Sequence, residues 1–359
     1  MKIKTEILQK IVSKAIQGSS NNKMIPLTSL IGIEYSDSKL NLITTDGSNQ
    51  LKITQNIEVP TEDDYEFYTI VNAETFSKLV GKTTKEYIEL ENKENYLEVK
   101  GNGTYKLEIA INEEGEMVRF PDIPKLDVEP YSIDTKLLQE AIKVAKASVA
   151  KTMEIPCLTG YYISDTTIAT DRQLVCKLNY GLSKEPLLIS NEMAELLLLV
   201  EEETINVMHK DNNLILFNHD FTIFGKELEG KELYPVQQIE GLLKQSYNNS
   251  VNINKQDLLN VLDRMSLFVG DYDKNGVYLD FTPDGLEITS QKSNAKEVIV
   301  FPGTNQIEGF NCLIDIEMLK AQVETVSTDT VTIKFGQEKF IAIIDGNAIH
   351  IISLLEKQN

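Results

Sequence analysis

Apolar positions along the chain follow two rhythms. One recurs every three or four residues, as in Ile7, Leu8, Ile11, Val12, Ala15 and Ile16, and predicts an amphipathic helix. The other alternates strictly, as in YLEVKGNGTYKLEIAI, and predicts a hairpin: Leu97 and Val99 face Tyr105, Leu107, Ile109 and Ile111 around an Asn102-Gly103 turn. The two rhythms alternate in the same order three times. Each round opens on a short strand that runs into a helix, at Ile3-Lys4-Thr5-Glu6-Ile7-Leu8, at Ile133-Asp134-Thr135-Lys136-Leu137-Leu138 and at Ile253-Asn254-Lys255-Gln256-Asp257-Leu258-Leu259. A glycine then falls inside an apolar strand, at Gly32, Gly160 and Gly276. A second helix starts on a capping residue followed two places on by Glu: Asn72-Ala73-Glu74, Ser190-Asn191-Glu192, Asp315-Ile316-Glu317. Alternating strands close each round, as in INVMHKDNNLILFNHDFTIF and VTIKFGQEKFIAIIDGNAIHII.

Such repetition predicts an α+β fold of three like domains, 1–126, 127–245 and 246–359, each with two helices and about eight antiparallel strands in two similar halves. A shorter phrase repeats inside it. TTDGSNQLKI (44–53) and ATDRQLVCKL (169–178) both set Thr-Asp after a strand and then renew the apolar pattern.

Charge and composition then narrow the classes. The chain has 42% hydrophobic and 25% charged residues, which excludes disorder. The longest apolar run, MAELLLLV at 193–200, is too short to span a bilayer, and MKIKTEILQK lacks the apolar core of a signal peptide. Cys157, Cys176 and Cys312 are odd in number and have no metal spacing, so a reducing cytoplasm is expected. A formal net charge of −20 repels nucleic acid unless the basic residues share a face.

Several stretches imitate chemistry. Gly81-Lys82-Thr83 lacks the upstream glycine of a phosphate loop, since Phe76 stands there. DYDKNG (271–276) begins like a calcium loop, but its twelfth place is Thr282 rather than Glu. His209, His219 and His350 have no partner at metal or triad spacing, and the carboxylates are scattered. No catalytic set, metal site or cofactor motif emerges, which weighs against a hydrolase. The basic residues are more orderly. Lys10 and Lys14 lie opposite the apolar stripe of the first helix, and Lys136, Lys143 and Lys146 opposite the stripe Leu137, Leu138, Ala141, Ile142 and Ala145. Lys78, Lys82 and Arg264 extend the set on other helices.

The ordered set of repeats resembles the bacterial sliding clamp, the beta subunit of DNA polymerase III. The resemblance rests on the three strand-helix openings, the strand glycines, Ala169-Thr170-Asp171, RFPDIP (119–124) and YPVQQI (234–239), and it spans nearly the whole chain. It implies a DNA clamp fold that closes as a head-to-tail homodimeric ring, with helices lining the hole and sheets outside. It implies a non-enzymatic processivity factor for DNA replication that encircles duplex DNA, meets phosphates through the lysines and arginine above, and partners a DNA polymerase and a clamp loader. It further implies a hydrophobic peptide pocket at Leu158, Thr170, Leu174, Pro235, Ile351 and Ser353, with Ile239 left outside the set. Leu174→Asp is then expected to abolish peptide binding with little effect on stability. Two departures mark a divergent member. Thr170-Asp171-Arg172-Gln173-Leu174 is one residue shorter than the usual Thr-Asp-Gly-His-Arg-Leu, and the chain closes on HIISLLEKQN rather than a Met-Pro-Met-Arg-Leu type tail. The alternative reading is a clamp-fold paralogue that binds peptides without serving the replicative polymerase.

Overall fold

Each round of the repeat begins by solving the same physical problem, the unpaired amides at a helix start. This computed structural model describes residues 1–57, 66–301 and 306–356, with the helices Thr5–Ala15 (α1), Ala73–Gly81 (α2), Thr135–Ala145 (α3), Asn191–Leu197 (α4), Val236–Leu243 (α5), Lys255–Met265 (α6) and Ile316–Thr325 (α7). The amides of Thr5, Thr135 and Lys255 donate to the carbonyls of Glu86, Glu203 and Asp329, at 2.9, 2.9 and 2.8 Å. Asn72 caps α2 by accepting from the Thr75 amide, Asn254 caps α6 by accepting from Asp257, and Asp315 caps α7 by accepting from Glu317 and Met318. No side chain caps α1, so the bond from Thr5 to Glu86 stands in for one. The 24 strands of the described residues fall eight to each round, and α5 is a helix beyond the expected two per round.

The chain divides into two compact units, Met1–Lys136 with Glu192–Glu227 and Leu137–Asn191 with Leu228–Asn359. The first unit has an eight-stranded sheet in the order Phe67–Asn72, Leu30–Ser36, Lys39–Thr45, Gln50–Asn56, Phe221–Lys226, Asn213–Phe217, Thr204–Lys210, Tyr131–Asp134. Its four-stranded sheet runs Lys2–Lys4, Tyr87–Asn92, Tyr96–Lys100, Thr104–Glu108. The expected hairpin pairs Leu97 with Leu107 and Val99 with Tyr105, although the strand stops at Glu108. α1 buries Leu8, Ile11, Val12 and Ala15, and it packs on α2 and on the strands Lys39–Thr45 and Gln50–Asn56.

The second unit repeats this plan. Its eight-stranded sheet runs Leu187–Ser190, Gly160–Ile163, Thr167–Thr170, Leu174–Leu178, Ala348–Ser353, Phe340–Asp345, Thr330–Phe335, Asn249–Asn254. Its four-stranded sheet runs Lys296–Val300, Gly285–Ser290, Gly276–Thr282, Phe310–Asp315. Leu258, Leu262 and Met265 of α6 and Leu319 and Val323 of α7 share a core with Phe281 and Phe335, whose rings stack at 4.1 Å. Leu137 departs from the expected stripe of α3, because it is exposed.

Each eight-stranded sheet has a seam between two four-stranded halves. At one seam Leu51 lies opposite Ile223, and at the other Cys176 lies opposite His350. Counting along the ladders from the helix caps, Leu51 and Cys176 occupy equivalent places, as do Ile223 and His350. Each four-stranded sheet reproduces one half and stops at its seam strand. In this register Tyr105 stands where Ile223 does, and Ala295 stands where Leu51 does. Beyond Thr104–Glu108 and Lys296–Val300 no further strand pairs among the described residues. The repeated glycines keep a different register from the one expected. Gly160 and Gly276 lie opposite the residues preceding the second helices, Ser190 and Asp315, but Leu30 lies opposite Asn72 and Gly32 sits two residues on. A Cβ at Gly160 would strike the Ile189 carbonyl, whereas one at Gly32 would meet the Phe120 ring, so the glycines answer separate packing demands.

Candidate functional site

The recurring Thr-Asp phrase builds one turn twice. The Thr45 hydroxyl donates to the Asn49 carbonyl at 2.6 Å, and the Asp46 carboxylate accepts from the amides of Ser48 and Asn49. The Thr170 hydroxyl donates to the Leu174 carbonyl at 2.7 Å, and the Asp171 carboxylate accepts from Gln173 and Leu174 at 2.9 and 2.6 Å. An aspartate that collects two amides in this way is an Asx turn, which is why both residue types recur. The third place of the turn is left-handed in both copies. Gly47 holds it with φ +101° in the first, and Arg172 holds it with φ +81° in the second.

The second copy of this turn borders a cavity of about 950 Å³ on the outer face of the second unit's long sheet. Strand alternation sends Leu174 and Ile352 into the core beneath, and Val175 and Ile351 to the outer face. The short helix α5 lies over that face. Its Val236, Ile239, Leu242 and Leu243 join Val175, Phe340 and Ile351 in an apolar cluster. Two contacts fasten the helix: Tyr234 donates its buried hydroxyl to the Ile168 carbonyl at 3.1 Å, and Lys177 pairs with Glu240. Burial drives the Tyr234 phenol well above its ordinary range and pushes Tyr247, set edge-on to Phe340, up to about 12. Both phenols therefore stay neutral at physiological pH. Thr170, Pro235, Ile351 and Ser353 line this cavity with Gln238, Ile239 and Leu242 of α5 and with residues 336–340.

A second cavity of about 370 Å³ is lined by Leu158, Ile155, Glu154 and the turn residues Asp171, Arg172 and Gln173. Four of the six expected pocket residues thus meet in the larger cavity and Leu158 in the smaller. Leu174 lies in neither: it is 3% exposed, opposite Ile352, and belongs to the apolar core beneath the sheet. The expectation that Leu174→Asp spares stability is therefore corrected, because an aspartate there has no water and no partner. The sequence reading missed α5, and it did not set the 336–340 turn beside the pocket. Apolar spacing at Val236, Ile239, Leu242 and Leu243 carried the signal for the helix.

The basic residues are mostly at the surface, though many are already paired. Lys10 and Lys14 both reach Glu201, at 2.7 and 2.9 Å. Lys78 pairs with Glu74, and Arg264 is held by Glu297 through two hydrogen bonds. Lys82, Lys136 and Lys143 are exposed and have no ion pair among the described residues, and Lys146 is exposed as well. The phosphate-loop mimic ends a helix, since Gly81 is the last residue of α2, and Asp271–Asp273 form a single turn leading into a strand. His350 is buried, and its Nδ1 lies 2.6 Å from Gln322 Oε1. Among the described residues no group of three metal-type ligands forms, and no helix is long and apolar enough to cross a membrane.

Compared with known proteins, this architecture is that of the sliding clamps. The crystal structure of the Bacillus subtilis DNA polymerase sliding clamp matches with a TM-score of 0.83 at 18% identity over 99% of both chains. The DNA polymerase III beta subunit of Thermotoga maritima matches at 0.85 and 15%, and the beta chain from Streptococcus pneumoniae at 0.84 and 16%, each over 99% of both chains. A family profile described as DNA polymerase III beta subunit, N-terminal domain, matches residues 1–120. The profile match covers the first 120 residues, and the fold of the solved clamps extends over 99% of the chain. No curated protein matches.

Proposed function

We propose that the chain is a non-catalytic processivity factor whose two copies close head to tail around duplex DNA and tether a DNA polymerase and other partners. It comprises three domains, 1–126, 127–245 and 246–359, and is loaded by a clamp loader in the cytoplasm. The observation that carries this reading is the pair of half-sheets. Thr104–Glu108 and Lys296–Val300 are the counterparts of strands that pair with each other inside the chain. An edge of this kind is a template for another copy. The internal seam supplies the register: Tyr105 of one copy opposite Ala295 of the other, as Ile223 lies opposite Leu51. Two such joins, one at each end, close a ring and leave neither of these two strands unpaired. Tyr105→Cys with Ala295→Cys should therefore give a covalent dimer in high yield on mild oxidation, and Tyr105→Cys with Val300→Cys should not. Equal yields from the two pairs, or a monomer by sedimentation at micromolar concentration, would contradict the closure.

The larger cavity is the proposed peptide pocket. Its apolar floor of Val175, Ile351 and Phe340 suits a short hydrophobic segment of a partner. A second reading, a clamp-fold paralogue without a replicative polymerase, draws support from the paired cations: Lys10, Lys14, Lys78 and Arg264 already have carboxylate partners, which weakens any pull on phosphates. Stimulation of long-product synthesis by a replicative polymerase separates the two readings.

A further inference from the structure

Arg172 is a residue out of place in three respects. It is a non-glycine side chain held at φ +81°, in a turn whose first copy uses Gly47. A left-handed backbone at an arginine is uncommon, and such strain concentrates where a protein binds something. Its guanidinium is exposed and forms no ion pair or side-chain hydrogen bond among the described residues, in a chain of net charge −20. Finally, it lines both cavities, and no other residue does. A ligand reaching from one cavity into the other must pass it.

The neighbouring acids do not satisfy this cation. The Asp171 carboxylate is taken up by the amides of Gln173 and Leu174. Glu154 lines the smaller cavity, and Glu338 and Lys339 line the larger, yet none makes an ion pair with Arg172. The turn fixes the backbone while the arginine keeps its donors open. An unpaired guanidinium between two partly apolar cavities is built for a carboxylate, which it grips through two parallel N–H donors.

We infer that Arg172 is a specificity-determining residue that selects docking peptides carrying a carboxylate beside their apolar anchor. This rests on the peptide-pocket reading above. The carboxylate has two possible sources, an acidic side chain or the peptide's own C-terminus, and the probes separate them. Three fluorescent peptides share one apolar anchor: the first has an internal Asp and an amidated end, the second Asn and an amidated end, the third Asn and a free C-terminus. Their affinities are measured for the wild type, Arg172→Gly and Arg172→Glu, the first variant being the residue that the other copy of the turn already holds. The wild type should favour one carboxylate peptide over the neutral one by about tenfold, which is the scale of one partly exposed charge-assisted contact. Arg172→Gly should erase that preference and leave the neutral peptide within about twofold. Arg172→Glu should reverse it. An undiminished preference in Arg172→Gly, or none in the wild type while the neutral peptide still binds, would overturn the role of Arg172 alone. Failure of every peptide to bind the wild type would overturn the pocket reading, and this inference with it.

Discussion

At the scale of single residues, burial decides what each side chain can do. Leu174 carries the clearest consequence. Leu174→Asp should lower stability by about 3 kcal/mol or more, or prevent folding, since it places a carboxylate in a closed apolar core. A melting temperature within a degree or two of the wild type would refute that placement. His350 offers a second test. Gln322 donates to Ser148, so its oxygen accepts from His350 Nδ1–H, and Nε2 is left buried without a partner. Burial lowers the imidazole from 6.5 to about 4, against the opposing charge of Asp345. Between those values the unfolded chain binds the proton and the folded one does not. The stabilisation is thus complete above about 6.5 and is lost as pH falls toward 4, with a slope of at most about 1.4 kcal/mol per pH unit. Urea midpoints measured across that window should fall less steeply for His350→Gln, and parallel curves would count against the account. The sequence marked Thr170-Asp171 as a phrase of the repeat, and the resemblance set Thr170 at a pocket, but the turn itself was not legible. Two amides on one aspartate and a left-handed third place are matters of backbone geometry, which residue types only hint at.

At the scale of elements, the legible parts were those with a strong rhythm. The wheel reading of α1 matches its buried Leu8, Ile11, Val12 and Ala15, and the 97–107 hairpin pairs as expected. α5 lies outside the two helices expected of its round. At eight residues, with a Pro before its start, two Gln in its first turn and a Gly inside, it makes a weak helix signal and draws its stability from the sheet beneath. Leu242→Glu, a change on the half-buried side of α5, should weaken peptide binding by about tenfold or more and shift the melting temperature only slightly. Fluorescence anisotropy with an apolar peptide reads this directly, and unchanged binding would remove α5 from the pocket. Charge on α1 gives a further prediction. Because Lys10 and Lys14 share Glu201, Glu201→Gln should free both and strengthen retention on DNA at low salt. Weaker or unchanged retention would show that these lysines do not meet phosphate.

At the scale of the whole molecule, three rounds of one pattern give, among the described residues, 24 strands in two long sheets and two half-sheets. The repetition was visible in the sequence because every round repeats its helix starts. Its strand register was not, since Gly32 imitated Gly160 from two places away. Nor could the sequence reveal that each half-sheet ends on the counterpart of a seam strand, a property of pairing rather than of composition. That ending leads to the central claim, a closed ring held on DNA by topology rather than by charge. A chain of net charge −20 should bind linear DNA poorly, and a ring loses nothing by it. The decisive measurement is retention on DNA in high salt, after loading onto a nicked circle with a cognate loader. The account predicts that the protein stays on the circle through several hundred millimolar salt and leaves within minutes once a restriction enzyme linearises it. Equal loss from circular and linear DNA as salt rises would contradict it.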